Sequence, residues 1–195
     1  LAESFLPVFQ AGVEIADAKS VMLSYNAATF PKGLEILGVP TAASEFLRDT
    51  LRTKWNFSGY TTSDTDSVGT IYLPPPNGHQ FVSTGEEAVA LALRKGQCDM
   101  NSGGTFMQYI PSALEKKMIS EADLDKALTS IYKVRFEMGF FDPIEDQPFW
   151  NISLDQVNTE ESKRKSYQSS VQGMVLLQNR RNTLPIQPAD DPRNR

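Results

Sequence analysis

Gly59-Tyr60-Thr61-Thr62-Ser63-Asp64-Thr65-Asp66-Ser67-Val68-Gly69 reads as a short strand that runs straight into an acidic turn. Tyr and Thr favour the pleated conformation. A strand is rigid, so the residue that follows it is delivered to a fixed place. Here that residue is Asp64, a carboxylate able to serve as nucleophile, general base or metal ligand. Capping the following turn is the other role open to Asp64 and Asp66, and it is the role expected of Asp66.

Outward from this stretch, strand and helix patterns alternate. On the N-terminal side, residues 3–16 place Phe5, Val8, Phe9, Gly12, Val13 and Ala16 at three-to-four spacing, which predicts an amphipathic helix. Val21-Met22-Leu23-Ser24-Tyr25 predicts a buried strand. A loop from Asn26 to Thr41 follows, and Ser44 is placed to cap a helix carrying Phe46, Leu47, Leu51 and Trp55. On the C-terminal side, Pro74-Pro75-Pro76-Asn77-Gly78 is a loop, because three prolines fit neither a helix nor a central strand. Thr84-Gly85-Glu86-Glu87 is a capping-box pattern opening a helix that stops at Gly96. Gln97-Cys98-Asp99-Met100 predicts a very short strand. Residues 105–117 predict a helix with Phe106, Tyr109, Ile110 and Leu114 inward, kinked or shifted in its start by Pro111. Residues 120–138 predict another, with a stripe of Leu124, Leu128, Ile131, Val134 and Met138.

Strands separated by helices imply a parallel sheet with crossover helices, an α/β fold. In such folds ligands bind at the carboxyl ends of the strands. That rule selects Tyr25 and Asn26, Ser63 and Asp64, and Asp99. Asp99 is expected to cap the glycine turn that follows it. Tyr25 is placed to hydrogen-bond Asp64 or to pack in the core. His79 is an exposed loop residue or a sugar contact, Trp55 and Met100 with Met107 are packing or rim residues, and Cys98 is a buried small hydrophobe.

Composition removes several function classes. Nineteen Lys and Arg against 24 Asp and Glu give a net charge of −5 with no basic cluster, a poor basis for nucleic-acid binding. No apolar run approaches the ~20 residues of a membrane span. One cysteine leaves no disulfide framework within the chain, and one histidine leaves no multi-His metal site, so neither metal nor cofactor is expected. The chain starts Leu1-Ala2-Glu3 without a signal-peptide pattern and stops in a polar tail, so a longer parent protein is expected. Asn56-Phe57-Ser58 and Asn151-Ile152-Ser153 are N-glycosylation acceptor patterns. After Phe140-Phe141-Asp142-Pro143 the pattern changes. Residues 143–158 read as a linker, Thr159 to Gly173 as a polar helix, and Met174-Val175-Leu176-Leu177-Gln178 as an apolar strand opening a second domain over 159–195.

Asp-x-Asp-x-Val after a strand also resembles the first motif of haloacid dehalogenase-type phosphotransferases, in which the first Asp attacks phosphorus and magnesium balances charge. The strand before Asp64 lacks the large apolar residues of that family, and the later acidic pair Asp190-Asp191 follows no strand.

The wider pattern resembles glycoside hydrolase family 3. Ser20-Val21-Met22-Leu23-Ser24-Tyr25-Asn26 is similar to the family's S-V-M-x-S-Y-N strand. Gly38-Val39-Pro40-Thr41-Ala42 is similar to its G-V-P-x-x-A segment, and Trp55 to Asp64 to W-G-F-x-G-Y-V-V-S-D, which ends in the nucleophile. Ser63 to Gly69 comes near the S-D-C-D-S-V-G form of the β-xylosidase branch. Glu86 to Met100, Ile119 to Pro143, and Val175-Leu176-Leu177-Gln178-Asn179 to Leu184-Pro185 follow the family's later segments in order. The resemblance implies the later part of a (β/α)8 TIM-type barrel over residues 1–142, then the start of an α/β sandwich domain. It implies part of a retaining, exo-acting, secreted β-glycosidase, β-xylosidase-like first and β-glucosidase second, acting on an oligosaccharide or β-glycoside. Asp64 would be the nucleophile and Tyr25 would lie beside it and the sugar. The family's acid/base Glu and its remaining sugar-binding residues are implied to lie outside this chain, so the chain alone is expected to be inactive or at most a sugar-binding piece. Ala27 to Leu37 intervene where the family has a few residues, at the mouth of the site. Thr65 stands where the family has Cys or Trp.

Overall fold

The computed structural model describes residues 3–29 and 38–186, in two compact units, Leu1–Asp142 and Pro143–Arg195. In the first unit, α1 (Leu6–Glu14) leads to β1 (Ser20–Leu23). β2 (Ala27–Ala28) and β3 (Val39–Pro40) then pair antiparallel. α2 (Glu45–Asp49) continues through a π-helical turn, Thr50–Lys54, to β4 (Tyr60–Ser63). α3 (Gly85–Leu91), extended by a second π-helical turn to Gly96, precedes α4 (Thr105–Glu115) and α5 (Glu121–Glu137).

The sheet is parallel. β1 pairs β4 in register Ser20 with Tyr60 through Leu23 with Ser63, and Thr62 bridges Met100 on the other side. Gln97–Met100 is thus a single bridge rather than a strand. Thr61 nonetheless fixes it firmly, because its carbonyl accepts from the amides of both Asp99 (3.1 Å) and Met100 (3.0 Å). The order β1, β4, Met100 brings three carboxyl ends to one edge.

Local signals set the helix starts. Ser44 Oγ accepts from the Leu47 amide at the head of α2, and Thr84 with Glu87 forms a full capping box on α3. Ser120 and Asp123 form another on α5. The helix after Thr84 ends past Gly96, where glycine is needed for close packing and not for handedness. The left-handed residue is Gln97 (φ 50°), while a Cβ on Gly96 would stand 1.9 Å from the Ala42 carbonyl oxygen. α4 runs through Pro111 with its start at Thr105 unshifted.

The core closes the back of the sheet. Val68, Ile71, Ala88, Ala92 and Cys98 are fully buried around Leu23, and Val89, Ala113, Ile119 and Ala127 pack between α3, α4 and α5. Each large apolar side chain so placed contributes about 1.5–3 kcal/mol. Cys98 is a buried hydrophobe whose thiol is pushed up to about 12 by burial. Several inward faces read from periodicity are corrected here. On α1 only Val13 is buried, while Phe5, Val8 and Phe9 are exposed. On α5 Leu128 and Met138 are exposed, while Ala127, Ile131 and Val134 are buried. Met107 is exposed as well, and Trp55 packs partly buried with Val13, Leu51 and Phe57.

In the second unit, α6 (Glu160–Gly173) is capped by Thr159 and carries the ion pairs Glu160–Lys163, Glu161–Arg164 and Glu161–Lys165. No described residue of 143–186 is buried. The strand expected at Met174–Gln178 is not formed: the segment is extended but unpaired and exposed, since β-structure requires a neighbouring ladder. Residues 30–37, most of the stretch that departs from the family pattern, and Asp190-Asp191 lie outside the described residues.

Candidate active site

Asp64 sits immediately beyond β4, at the carboxyl end of the sheet, and is half-buried. Its backbone is tied to both neighbours. The Asp64 amide donates to the Leu23 carbonyl of β1 (2.8 Å), and the Ser67 amide returns to the Asp64 carbonyl (3.0 Å). On the other flank the Ser63 amide donates to the Met100 carbonyl (2.8 Å). Ser63 Oγ donates to Asn101 Oδ1 (3.0 Å) and accepts from the Ser102 amide (2.9 Å). The carboxylate itself is lightly held. Oδ1 accepts from the Thr65 amide (2.7 Å), and the second oxygen has no hydrogen-bond partner among the described residues.

Tyr25 follows β1 and is 44% exposed, so it is no core residue. Its hydroxyl bonds the residue after Asp64 rather than Asp64 itself, donating to the Thr65 carbonyl at 2.5 Å. His79 reaches the same corner. Its exposed imidazole lies 2.7 Å through Nε2 from the Tyr25 carbonyl, an acceptor, so Nε2 carries the proton. The proline loop is thereby strapped to the end of β1. Sequence had left His79 between solvent and sugar, and nothing local signals a backbone partner 54 residues away.

Asp66 ties the turn to the loop after Met100. Oδ1 accepts from the Thr105 amide (3.1 Å), the Thr105 hydroxyl (3.0 Å) and the Asn101 side-chain amide (3.3 Å). Partial burial works against ionisation, but these hydrogen bonds hold its carboxyl below the ordinary 3.8. Asp66 was expected to cap the turn that follows it; its carboxylate instead bonds Asn101 and the start of α4, 35 and 39 residues away. Asn101 and Thr105 are contributors that sequence reasoning missed; their signal was the Asn-Ser-Gly-Gly turn directly after Met100.

Asp99 requires a correction. It does not cap the glycine turn. It is buried, pairs with Arg52 (Nη2 to Oδ2, 2.5 Å) and accepts from the Thr61 amide (2.8 Å), far from the open end of the strand. A cavity of about 400 Å³, lined by Phe5, Phe9, Val21, Met22, Leu51 and Trp55 among others, is apolar, and Asp64 does not line it. Among the described residues no three His, Cys, Asp or Glu side chains gather as a metal site. No described helix is long and apolar enough to cross a membrane.

A parallel βα succession with an aspartate at a strand's carboxyl end is shared by many enzymes, and comparison with known proteins decides among them. The family description "Glycosyl hydrolase family 3 N terminal domain" matches residues 1–134. The chain belongs to glycosyl hydrolase family 3. Among curated relatives, a probable exo-1,4-β-xylosidase of Aspergillus clavatus is 35% identical over 190 residues, 95% of this chain and 23% of the relative. Among solved structures, a family-3 exo-β-xylosidase in complex with a xylobiose aziridine activity-based probe superposes with a TM-score of 0.73 at 29% identity, over 94% of this chain and 22% of that one. A β-glucosidase from Listeria innocua in complex with glucose gives 0.66 at 26% identity, over 93% and 23%. The family-3 chain described here therefore spans under a quarter of the length of these relatives.

Proposed function

We propose that this chain is part of a retaining, exo-acting β-glycosidase of the xylosidase type, secreted, acting on terminal β-linked sugars of an oligosaccharide or β-glycoside. The observation that carries the reading is Asp64: a half-buried carboxylate at the carboxyl end of a parallel strand, with its backbone bonded on both flanks and one oxygen without a partner among the described residues. The order β1, β4, Met100, with a helix in each connection, supports a segment of a (β/α)8 barrel over 1–142. The family match ending at residue 134 supports a linker at 143–158 and a second domain beginning at 159.

In this reading an Asp64 oxygen attacks the anomeric carbon as the bond to the leaving oxygen breaks, giving a glycosyl ester. A second carboxyl, roughly 5–5.5 Å away, protonates the leaving oxygen and then draws a proton from the water that cleaves the ester. Asp66 is unsuited to that second role because its Oδ1 is occupied by three donors. The family resemblance implies an acid/base outside these 195 residues, and on this reading the chain alone turns nothing over. Tyr25 borders the nucleophile through Thr65 and offers its exposed ring face to the sugar. The xylose preference rests on the likeness to the xylosidases; the β-glucosidase likeness makes glucosides the second candidate.

The test is trapping in the full-length gene product. Incubation with a xylobiose aziridine probe, followed by peptide mass mapping, is expected to place the ester on Asp64, with aryl β-xyloside hydrolysed faster than aryl β-glucoside. An ester on any other carboxylate removes Asp64 as nucleophile.

A further inference from the structure

We infer that Asp66 is a positioning residue for Asp64: its carboxylate binds the loop after Met100 and so fixes the short peptide span that carries the nucleophile. This rests on the reading of Asp64 given above.

The bonds around the span are asymmetric in kind but close it from both sides. On the β1 side, Leu23 accepts from the Asp64 amide, and the Tyr25 hydroxyl donates to the Thr65 carbonyl. On the other side Ser63, before the nucleophile, bonds Met100, Asn101 and Ser102, and Asp66 makes the ties after it. Its amide donates to the Ser102 carbonyl (2.6 Å), and its Oδ1 gathers Thr105 and Asn101. Asn101 also accepts from Ser63 Oγ, so one side chain holds the residue before Asp64 and the residue two after it. Asp66 takes up the left-handed region (φ 55°), which Asp tolerates better than most L-residues and which turns the chain sharply after Thr65. The facing loop is shaped around the carboxylate. Gly103 has φ 144°, and a Cβ there would stand 2.3 Å from Asp66 Oδ1. A simple helix cap for α4 needs one acceptor and one amide. It requires neither the Asn101 bridge, nor the left-handed turn, nor a glycine opposite.

A misplacement of about 1 Å at a reacting group costs on the order of 100-fold in rate. In the full-length gene product, Asp66→Ala is expected to lower kcat and the rate of Asp64 trapping by the aziridine probe about 100-fold, with KM changed less than about 3-fold. Asp66→Asn keeps the accepting oxygen and should restore most of the rate. Gly103→Ala, which strikes the same contact from the opposite loop, should reproduce the Asp66→Ala loss, so an unfolded Asp66→Ala does not end the test. Amide hydrogen exchange gives a readout independent of turnover: the variants should open residues 64–67 together with 101–105. A variant that melts earlier yet traps probe at the wild-type rate per folded molecule overturns the inference and leaves Asp66 a helix cap. Trapping at another residue in the wild type overturns the nucleophile reading instead, a different and separable result.

Discussion

The two ends of β4 use the same chemistry for opposite purposes. At the amino end, Asp99 and Arg52 form an ion pair with side chains only 5% and 18% exposed. Asp99 Oδ2 also accepts from the Thr61 amide and hydroxyl, Arg52 Nη1 donates to the Gly59 carbonyl (2.5 Å), and the guanidinium lies 5.0 Å over the Phe57 ring. Two of the guanidinium's five N–H groups are so used, and Arg52 Nε is buried without a partner among the described residues. At the carboxyl end, Asp64 has a rigid backbone and an open carboxylate. A buried carboxylate bonded through one oxygen to a guanidinium, a strand amide and a hydroxyl holds strands together. A half-buried one on a fixed backbone, bonded only to the next amide among the described residues, is available for chemistry.

The sharpest way to break this contrast is Asp64→Asn in the full-length gene product. Hydrolysis of an aryl β-xyloside should fall ~10⁴-fold or more, since an amide is a poor nucleophile. The thermal midpoint should stay near wild type, because the side chain's hydrogen bond among the described residues is the one from the neighbouring Thr65 amide, which the Asn oxygen can still accept. Retained hydrolysis would place the chemistry elsewhere. The opposite pattern is expected of Asp99→Ala. It strands Arg52 in a buried site, at a cost of about 3–5 kcal/mol in denaturant unfolding, with kcat per folded molecule unchanged. A loss below about 1 kcal/mol would show that the amino end is held by packing alone.

What could be read in the sequence was what depends on near neighbours. The capping box at Thr84 and the cap at Ser44 act across three residues, so the residues themselves announce them. The strand ending in Ser63 and the position of Asp64 beyond it were legible because a run of strand formers meets a polar turn. The partners were not. Arg52 and Asp99 are 47 residues apart, and Asp66 and Thr105 are 39 apart, so their pairing depends on strand order and helix placement. Burial failed to follow periodicity for the same reason. Leu128 and Phe9 lie on apolar stripes yet are exposed, because a stripe shows which residues can be covered, not what covers them. Met174–Gln178 has the composition of a strand without a ladder beside it in the described residues, and composition alone cannot supply one.

A milder probe of the carboxyl end is Tyr25→Phe, which removes one hydrogen bond to the Thr65 carbonyl and leaves the ring. Such a bond contributes about 0.5–1.5 kcal/mol net. If Tyr25 steadies the span next to the nucleophile, the loss should fall on kcat/KM, roughly tenfold, more than on the thermal midpoint. A shift in melting with unchanged kinetics would make Tyr25 a structural tie like Asp99.

The smallest effect is expected from acid. Asp66 is held below its ordinary value by Thr105 and Asn101. A carboxylate lowered on folding stabilises the folded state fully above its unfolded value, 3.8, and ceases to do so as the pH falls through its lower folded value. The difference in thermal midpoint between wild type and Asp66→Asn should therefore be flat from pH 7 to about 5, where the group is ionised in both states, and should narrow only below 3.8. A gap that already narrows between pH 7 and 5 would mean that the carboxylate is not held in its ionised form by the facing loop. The carboxyl end of β4 would then be clasped by its backbone bonds alone.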